Sequence, residues 1–200
     1  MGLYLLLMVL AVIGEFKMVK RMDSDDADLL RLLGGLDRRW CRTGGVRLCD
    51  NLRDIPGVSW SEFAVLLASA PEFPGEVDLS SFVLSSSERI RRYLRRSYSD
   101  FPPSYWYLPL SDSDMTTIHA FKPELHGGER VVALIPGLLF DKSGRRKSFP
   151  QDTFSLGFGG LPARLLTRIG VSWSLQLSDQ PLAGAPEVDF IVTERGVTEV

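Results

Sequence analysis

Runs of apolar residues separated by turn-forming residues predict an alternation of strands and helices along the chain. Two unbroken apolar runs in the last third, VVALIPGLLF and VDFIVT, have the composition of strands that are buried on both faces. The segments SYWYLPL and GVSWSLQL predict two further strands. This alternation predicts an α/β fold in which a central, mostly parallel sheet is flanked by helices on both faces.

Helical spacing of apolar residues, together with helix-start signals, predicts four helices. They cover residues 23–42, residues 58–70, the segment that follows the capping box of Ser85 and Glu88, and residues 161–169. Gly34 and Gly35 weaken the middle of the first helix, and Pro162 suits the first turn of the last one. A short strand is expected at residues 81–84, directly before the capping box.

The overall composition limits the classes of function. With 200 residues, 44% of them apolar and 24% charged, the chain can bury the core of one globular domain. A formal charge of −2 and a pI near 5.7 give no general reason to expect a nucleic acid or an anionic membrane as partner. Cys41 and Cys49 stand without a second cysteine pair, which excludes a disulfide scaffold and zinc-ligand spacing and favours buried or idle thiols.

The first residues form an uncharged apolar run, GLYLLLMVLAVIG, that is shorter than the roughly 20 residues of a membrane span. No Lys or Arg precedes it, and VIGEF is a poor cleavage site, but a secretory signal or anchor remains one reading. The others are a buried strand or helix, an interaction arm, or an extension upstream of a start at Met18 or Met22. We expect residues 1–22 to form an arm and residues 23–200 a single domain in the cytoplasm, with an organellar or membrane-associated location as the alternative.

A glycine-rich loop precedes the last predicted helix. Gly157, Gly159 and Gly160 allow successive backbone N–H groups to face an anion, and the positive end of a helix would add to that attraction. The loop is therefore a candidate phosphate cradle. The alternative is a tight connection between a strand and a helix, for which glycine is equally suitable.

Several short motifs in residues 128–197 occur in the order seen in the 5-formyltetrahydrofolate cyclo-ligase family, also called methenyltetrahydrofolate synthetases. They are Ile135-Pro136-Gly137, Phe140-Asp141, Gly144-Arg145-Arg146, Leu156-Gly157-Phe158-Gly159-Gly160, Gln176 and the segment VDFIVTERGV. The last third of the chain resembles that family well, whereas the N-terminal half matches only weak landmarks such as FKPE and YLPL. The resemblance implies a cyclo-ligase-like fold of the CoA-transferase-like type.

The resemblance also implies a function. The family uses ATP and Mg²⁺ to phosphorylate the formyl oxygen of 5-formyltetrahydrofolate, and ring closure then expels phosphate to give 5,10-methenyltetrahydrofolate. Nucleotide and folate are thus the expected ligands, and ATP with Mg²⁺ the expected cofactors. By resemblance, the catalytic cations are Arg145, Arg146 and Arg164, the nucleotide-binding residues are Gly157, Phe158, Gly159, Gly160, Lys17 and Arg21, and the metal-associated residue is Asp141. For Asp141, capping of its own turn is the alternative.

The chain also departs from the family pattern near the glycine loop. Residues 147–154 stand as an insertion before the loop, Ser155 replaces an expected arginine, and Leu161 replaces the third glycine. A phosphoryl-transfer site that lacks a cation loses stabilisation of its transition state. We therefore expect an eroded phosphate loop and slow or absent turnover.

A second class of function is suggested by the segment SERIRRYLRRSY. On a helix, Arg91, Arg92, Arg95 and Arg96 would share one face and could contact RNA phosphates or an acidic protein surface. A solvated face covered by arginine stems is the alternative. The competing hypothesis is thus a non-catalytic family member that acts as a binding or assembly protein.

Overall fold

The computed structural model describes residues 24–69, 71, 73–86, 89–95, 106–109, 115–118, 128–148 and 161–200. Its central element is an eight-stranded sheet in the order β11-β10-β8-β5-β1-β2-β3-β4. The strands are β1 (Phe63–Ser69), β2 (Arg91–Arg95), β3 (Trp106–Pro109), β4 (Met115–Ile118), β5 (Arg130–Pro136), β8 (Leu166–Val171), β10 (Phe190–Thr193) and β11 (Gly196–Glu199). A smaller sheet has the order β7-β6-β9, with β6 (Leu139–Asp141), β7 (Arg146–Lys147) and β9 (Leu177–Ser178).

The five central strands of the large sheet, from β10 to β2, pair in parallel. Antiparallel strands complete both sides: β11 pairs with β10, and β3 and β4 continue the sheet beyond β2. The prediction of an α/β fold with a mostly parallel sheet is confirmed.

The described α-helices are α1 (Ser24–Gly34), α2 (Arg38–Arg53) and α3 (Ser80–Ser85). Buried side chains of all three belong to one apolar cluster, which includes Leu33, Leu48 and Phe82 and packs on one face of the large sheet. The first predicted helix is therefore confirmed in position, but it ends at Gly34 and a second helix begins at Arg38. The loss of helix propensity at Gly34 and Gly35 favours this break.

The opposite face of the large sheet carries a separate cluster. Alternate residues of β1 and β5, such as Val65 and Val131, contact Phe140 of the small sheet there. Among the described residues, this face is thus covered by the small sheet rather than by an α-helix. Successive side chains of a strand point to opposite faces of the sheet, so the residues of β1 and β5 are divided between the two clusters at alternate positions.

The predicted strands around VVALIPGLLF, VDFIVT and SYWYLPL are confirmed as β5 with β6, β10 and β3. The predicted helix at residues 58–70 is wrong: a 3-10 helix (Trp60–Glu62) leads into β1. β1 is a central strand that pairs with β2 and β5. Its side chains are buried on both faces of the sheet, which accounts for its nearly unbroken apolar sequence. A short, fully apolar run cannot be distinguished from a buried helix by periodicity alone.

Two neighbouring predictions were exchanged. The expected strand at residues 81–84 is the helix α3, and the expected arginine helix is strand β2, which pairs in parallel with β1. The prediction that Arg91, Arg92, Arg95 and Arg96 share one face of a helix is therefore wrong. Pairing and burial beside β1 override the helix propensity of this segment. Arg96 lies outside the described residues.

The predicted helix at residues 161–169 is also wrong. Only a three-residue 3-10 helix (Ala163–Leu165) forms, preceded by Pro162, and β8 starts at Leu166. The segment is a strand because β5 and β10 both pair with it, and Thr167, Ile169 and Val171 are buried on one face. The predicted strand GVSWSLQL begins within β8 and then turns through a 3-10 helix (Ser174–Gln176) into β9.

In the part of the chain that the structure describes, no helix combines the length and the apolar character that a bilayer crossing requires. The apolar run at residues 2–14 lies outside that part, and so does the boundary predicted between an arm and a domain at residue 23.

Candidate functional site

The order of the strands defines where a ligand site is expected. From β1 the chain first proceeds to β2 on one side, and later to β5, β8 and β10 on the other side. The side on which the chain adds strands to the sheet therefore changes between β1 and β5. In open α/β sheets, ligands bind outside the carboxyl ends of the strands at such a switch point. Here those ends are Ser69 and Pro136, and we call the space beside them the switch-point crevice.

The turn that leaves β5 at this point is held by three groups. The buried amide of Gln176 donates from Nε2 to the carbonyl oxygens of Gly137 and Leu138, at 2.9 and 3.2 Å. The backbone N–H of Leu138 donates to the carbonyl oxygen of Lys147 at 2.8 Å. Gln176 Oε1 accepts from the Trp173 N–H, so both ends of this amide are occupied. The motif residues around Pro136 and Gln176 thus meet in space at the carboxyl end of β5.

Arg146 is the third group. Its side chain is 1% exposed. Nη1 donates to the carbonyl oxygen of Pro136 at 2.7 Å, and Nε donates to Glu187 Oε2 at 3.0 Å. A guanidinium that is buried and bonded in this way positions the protein backbone. The structure therefore places Arg146 at the switch point as a support of the turn.

Asp141 organises the next turn of the small sheet. Its Oδ1 accepts from the backbone N–H groups of Ser143 and Arg145 and from the Ser143 hydroxyl, and Oδ2 accepts from the Leu182 N–H at 2.7 Å. Burial raises the pKa of this carboxyl, but the hydrogen bonds from Leu182, Ser143 and Arg145 outweigh that effect and lower the pKa below its ordinary value. This geometry matches the turn-capping alternative, and the metal role of Asp141 stays a prediction.

The other two predicted cations lie apart from the crevice wall. Arg145 Nη1 is 3.8 Å from Asp141 Oδ2, and its side chain is 33% exposed. Its Nε is buried without a hydrogen-bond partner. Arg164 is exposed in the 3-10 helix before β8, at the amino end of the parallel strands. The structure places Arg146 in β7 and Arg145 in the turn directly before it, and it leaves Arg164 at the opposite edge from the switch point.

A salt bridge links the small sheet to the first described helix near the crevice. Lys147 Nζ lies 2.6 Å from Asp26 Oδ1, and Asp26 is nearly buried on α1. Lys147 is the first residue of the segment that the sequence marks as an insertion. It lies within β7, opposite Leu139, so the insertion begins inside a paired strand.

Further polar groups at the carboxyl edge were not assigned a role from the sequence. Glu194, directly after β10, accepts hydrogen bonds from the backbone N–H and the hydroxyl of Ser174. Asn51 of α2 donates to the carbonyl oxygen of Thr193 at 2.8 Å. The hydroxyl of Ser172, which follows β8, is buried without a hydrogen-bond partner. For Glu194 and Ser172, the position directly after a buried run was the available signal in the sequence; Asn51 on α2 carried no such signal.

The described residues contain no group of three His, Cys, Asp or Glu side chains that could hold a metal ion. The predicted association with Mg²⁺ stays a prediction. Cys41 and Cys49 are free thiols, and burial raises the pKa of both. A raised pKa disfavours the nucleophilic thiolate, in agreement with idle thiols.

The predicted nucleotide-binding residues fall on parts of the chain that are not described. They are Lys17, Arg21, Gly157, Phe158, Gly159 and Gly160. Among the described residues, the element that follows the predicted phosphate cradle begins at Ala163. A three-residue 3-10 helix stands there, so the positive end of a long helix, which the sequence argument invoked, is not present at residues 161–169.

Comparison with known proteins identifies the fold. No family model and no curated protein sequence matches the chain. Among solved structures, the 5,10-methenyltetrahydrofolate synthetase of Aquifex aeolicus is similar at a TM-score of 0.60 and 18% identity, over 87% of this chain and 90% of that one. The 5,10-methenyltetrahydrofolate synthetase of Mycoplasma pneumoniae gives a TM-score of 0.60 at 16% identity, over 86% of this chain and 99% of that one. The chain therefore has the fold of cyclo-ligase structures, as the sequence motifs predicted.

Proposed function

We propose that this protein binds a nucleotide and a reduced folate at the switch-point crevice and converts 5-formyltetrahydrofolate to 5,10-methenyltetrahydrofolate slowly, at the expense of ATP. The observation that carries the proposal is the fold, which agrees with two methenyltetrahydrofolate synthetases over most of this chain. The motif residues Pro136, Gly137 and Gln176 support it, because they meet at the point where such a sheet binds ligands.

In this proposal the described residues shape and support the crevice. Gln176 and Arg146 hold the carbonyl groups of residues 136–138 in place, so the end of β5 is a rigid wall. A rigid wall helps to hold the formyl oxygen in line with the transferred phosphoryl group, and such positioning contributes a large part of catalysis in phosphoryl transfer. ATP transfers its phosphoryl group to the formyl oxygen. Ring closure at the formyl carbon then expels that oxygen as phosphate.

The proposal of slow turnover has its own support. Arg146 already donates to Pro136 and Glu187, and Arg145 faces Asp141, so both guanidinium groups have protein partners. Arg164 lies at the opposite edge of the sheet. Lys147 is likewise paired with Asp26. Charge on the transferring phosphoryl group would therefore have to be neutralised by Lys17 or Arg21, and loss of one cation at such a site typically lowers a rate by about 10²- to 10³-fold.

The glycine loop is proposed as the phosphate cradle. The chain after it reaches the amino end of β8 at Leu166, so the cradle requires the loop to extend back to the crevice at the carboxyl edge. Binding measurements test this requirement. MgATP and 5-formyltetrahydrofolate are titrated separately by calorimetry into the whole protein and into a Gly159→Asp variant. The variant should bind MgATP about 1 to 3 kcal/mol more weakly, because a carboxylate is placed against the phosphates. Folate binding should change little.

Gly45→Asp is the matched control, because Gly45 is on α2 and a Cβ there meets no atom within 4 Å. It adds the same charge outside the glycine loop and should leave both affinities unchanged. Equal MgATP affinity of the Gly159→Asp variant and the parent protein would contradict the assignment of the glycine loop as a phosphate cradle. Absence of binding of both ligands to the parent protein would remove the proposed function.

The competing hypothesis of an RNA- or protein-binding helix has lost its geometric basis. Its segment is strand β2, in which Arg91 pairs with Glu129 at 2.5 Å and Arg92 donates to the carbonyl oxygen of Leu84 at 2.7 Å. No contact of the described residues favours a nucleic-acid partner.

A further inference from the structure

A second pocket lies at the other end of the parallel strands. It is about 410 Å³ in volume, which falls in the range of roughly 300 to 1,000 Å³ that is usual for small-molecule sites. We call it the amino-edge pocket; its lining includes Arg53, Trp60, Ser61, Phe63, Phe82 and Arg89. Trp60 and Phe63 stand at the start of β1, and Arg89 stands just before β2.

The amino-edge pocket is distinct from the switch-point crevice. The crevice begins where β1 ends at Ser69, whereas the pocket begins where β1 starts at Phe63. Seven residues of extended strand separate the two by about 20 Å. A ligand of ordinary size cannot occupy both places.

The walls of the amino-edge pocket are aromatic and fixed in orientation. The Trp60 ring lies with its centroid 5.3 Å from that of Phe82 and 5.9 Å from that of Phe63, in edge-type arrangements. Phe63 and Phe82 are each 4% exposed and form the floor, whereas Trp60 is half-buried. The Trp60 indole N–H donates to the carbonyl oxygen of Leu52 at 2.9 Å, which fixes the ring. Such walls suit a flat aromatic ring.

The charged residues that line the amino-edge pocket are both arginines. Arg53 and Arg89 both line the pocket, and its described lining contains no Asp or Glu. The Arg53 guanidinium lies 5.7 Å from the Phe82 ring centroid, so its planar group is already at the aromatic wall. Its salt bridge with Asp50 joins two half-exposed side chains, and such a pair stabilises a protein very little. Arg53 can therefore turn to an anion at small cost, in the two-pronged geometry that suits carboxylate and phosphate.

We propose that the amino-edge pocket is a second ligand site, for a small planar aromatic anion such as an aryl carboxylate or aryl phosphate. The aromatic part lies against Trp60 and Phe82, and the anionic group contacts Arg53 and Arg89. The site is independent of the crevice at the carboxyl edge.

The test compares two probes of nearly equal shape, 2-naphthoate and its uncharged analogue 2-naphthamide, by calorimetry on the whole protein. Naphthoate should bind at least about tenfold more tightly, since a charge-assisted hydrogen bond is worth that much or more. Arg53→Gln should weaken naphthoate about tenfold and leave naphthamide unchanged. Trp60→Leu should weaken both probes by roughly two- to tenfold, because it removes the shared aromatic wall.

Arg47→Gln is the matched control, because Arg47 is exposed on the same helix and does not line the pocket. It should change neither affinity. Three results would overturn the proposal: failure of naphthoate to bind, equal affinity of the two probes, or an unchanged naphthoate affinity in the Arg53→Gln variant. Displacement of naphthoate by saturating MgATP would overturn it as well, because the probe would then occupy the crevice.

Discussion

The two faces of the large sheet are built in different ways. One face is covered by α1, α2 and α3 through apolar side chains such as Leu48 and Phe82. The other face, among the described residues, is covered by the small sheet, which combines the buried ring of Phe140 with a network of polar contacts around Asp141 and Arg146. The helical face depends mainly on apolar burial, with a few polar contacts such as that of Asn51 with Thr193. The small-sheet face depends in addition on charged groups whose partners are fixed.

This difference changes the interpretation of the family motifs. Arg146, Asp141 and Gln176 resemble site residues in the sequence, but each of them bonds to backbone groups of the chain. Their first effect is to hold the small sheet against the large one and to shape the end of β5. The motifs therefore account for the shared fold, and their presence alone does not provide the cations that phosphoryl transfer needs.

The largest expected effect is a difference in the free energy of unfolding between variants of the neighbouring residues Arg145 and Arg146. Arg146→Met keeps the apolar stem but removes the donors to Pro136 and Glu187, and should lower the free energy of unfolding by about 3 kcal/mol. Arg145→Met should lower it by less than about 1 kcal/mol, because that ion pair is long and partly exposed. Urea unfolding followed by circular dichroism measures both. Equal losses in the two variants would contradict the assignment of Arg146 as the support of the turn.

A smaller effect is expected where the small sheet touches β8. A Cβ at Gly170 would lie 2.7 Å from Phe140 Cε1, so the ring has to move in a Gly170→Ala variant. We expect a loss of about 1 to 3 kcal/mol in the free energy of unfolding from overpacking. The control is Gly45→Ala on the exposed side of α2, where better helix propensity should raise stability by up to about 1 kcal/mol. A Gly170→Ala variant as stable as its parent would show that Phe140 does not pack on β8.

The smallest expected effect is a pH dependence at Asp141. Because the folded protein lowers the pKa of this carboxyl, its contribution to stability is present above the pKa of the unfolded chain and is lost as pH falls through the folded pKa. Asp141→Asn should therefore cost about 1 to 2 kcal/mol near neutral pH. The difference from the parent should shrink towards about pH 3, as measured by urea midpoints. A difference that stays constant with pH would exclude an ionised Asp141 as its cause.

The sequence predicted two of the central strands, β5 and β10, and mistook the others for helices for a physical reason. β5 and β10 lie between turn signals that mark them as strands, whereas FAVLLAS and LLTRIGV are short apolar runs that also fit one face of a helix. Their state is decided by pairing with strands that are remote in sequence, such as β5 for β8. Propensity is too weak to overcome such burial.

The candidate site was predicted only as a set of motifs. That Gln176 and Arg146 would hold the turn at residues 136–138 could not be derived, because each contact joins segments that the fold brings together. The hydrogen bond from Arg146 to Glu187 could not be predicted, because the sequence does not distinguish Glu187 from other acidic residues. The catalytic role of Arg146 stays a prediction. The position of the switch point, in contrast, follows from the strand order once the sheet is known.

The most direct test of the account is the rate at which the whole protein forms 5,10-methenyltetrahydrofolate from 5-formyltetrahydrofolate and MgATP, followed by the near-ultraviolet absorbance of the product. Arg146 is bonded to protein groups, Arg145 is paired with Asp141, and Arg164 lies at the opposite edge of the sheet. We therefore predict a rate of roughly 0.01 to 0.1 per second, about 10²- to 10³-fold below that of a typical enzyme. Omission of ATP should abolish it. A rate in the ordinary range of about 1 to 10³ per second would contradict the claim of an eroded site. Complete absence of product with both ligands bound would contradict the proposed activity.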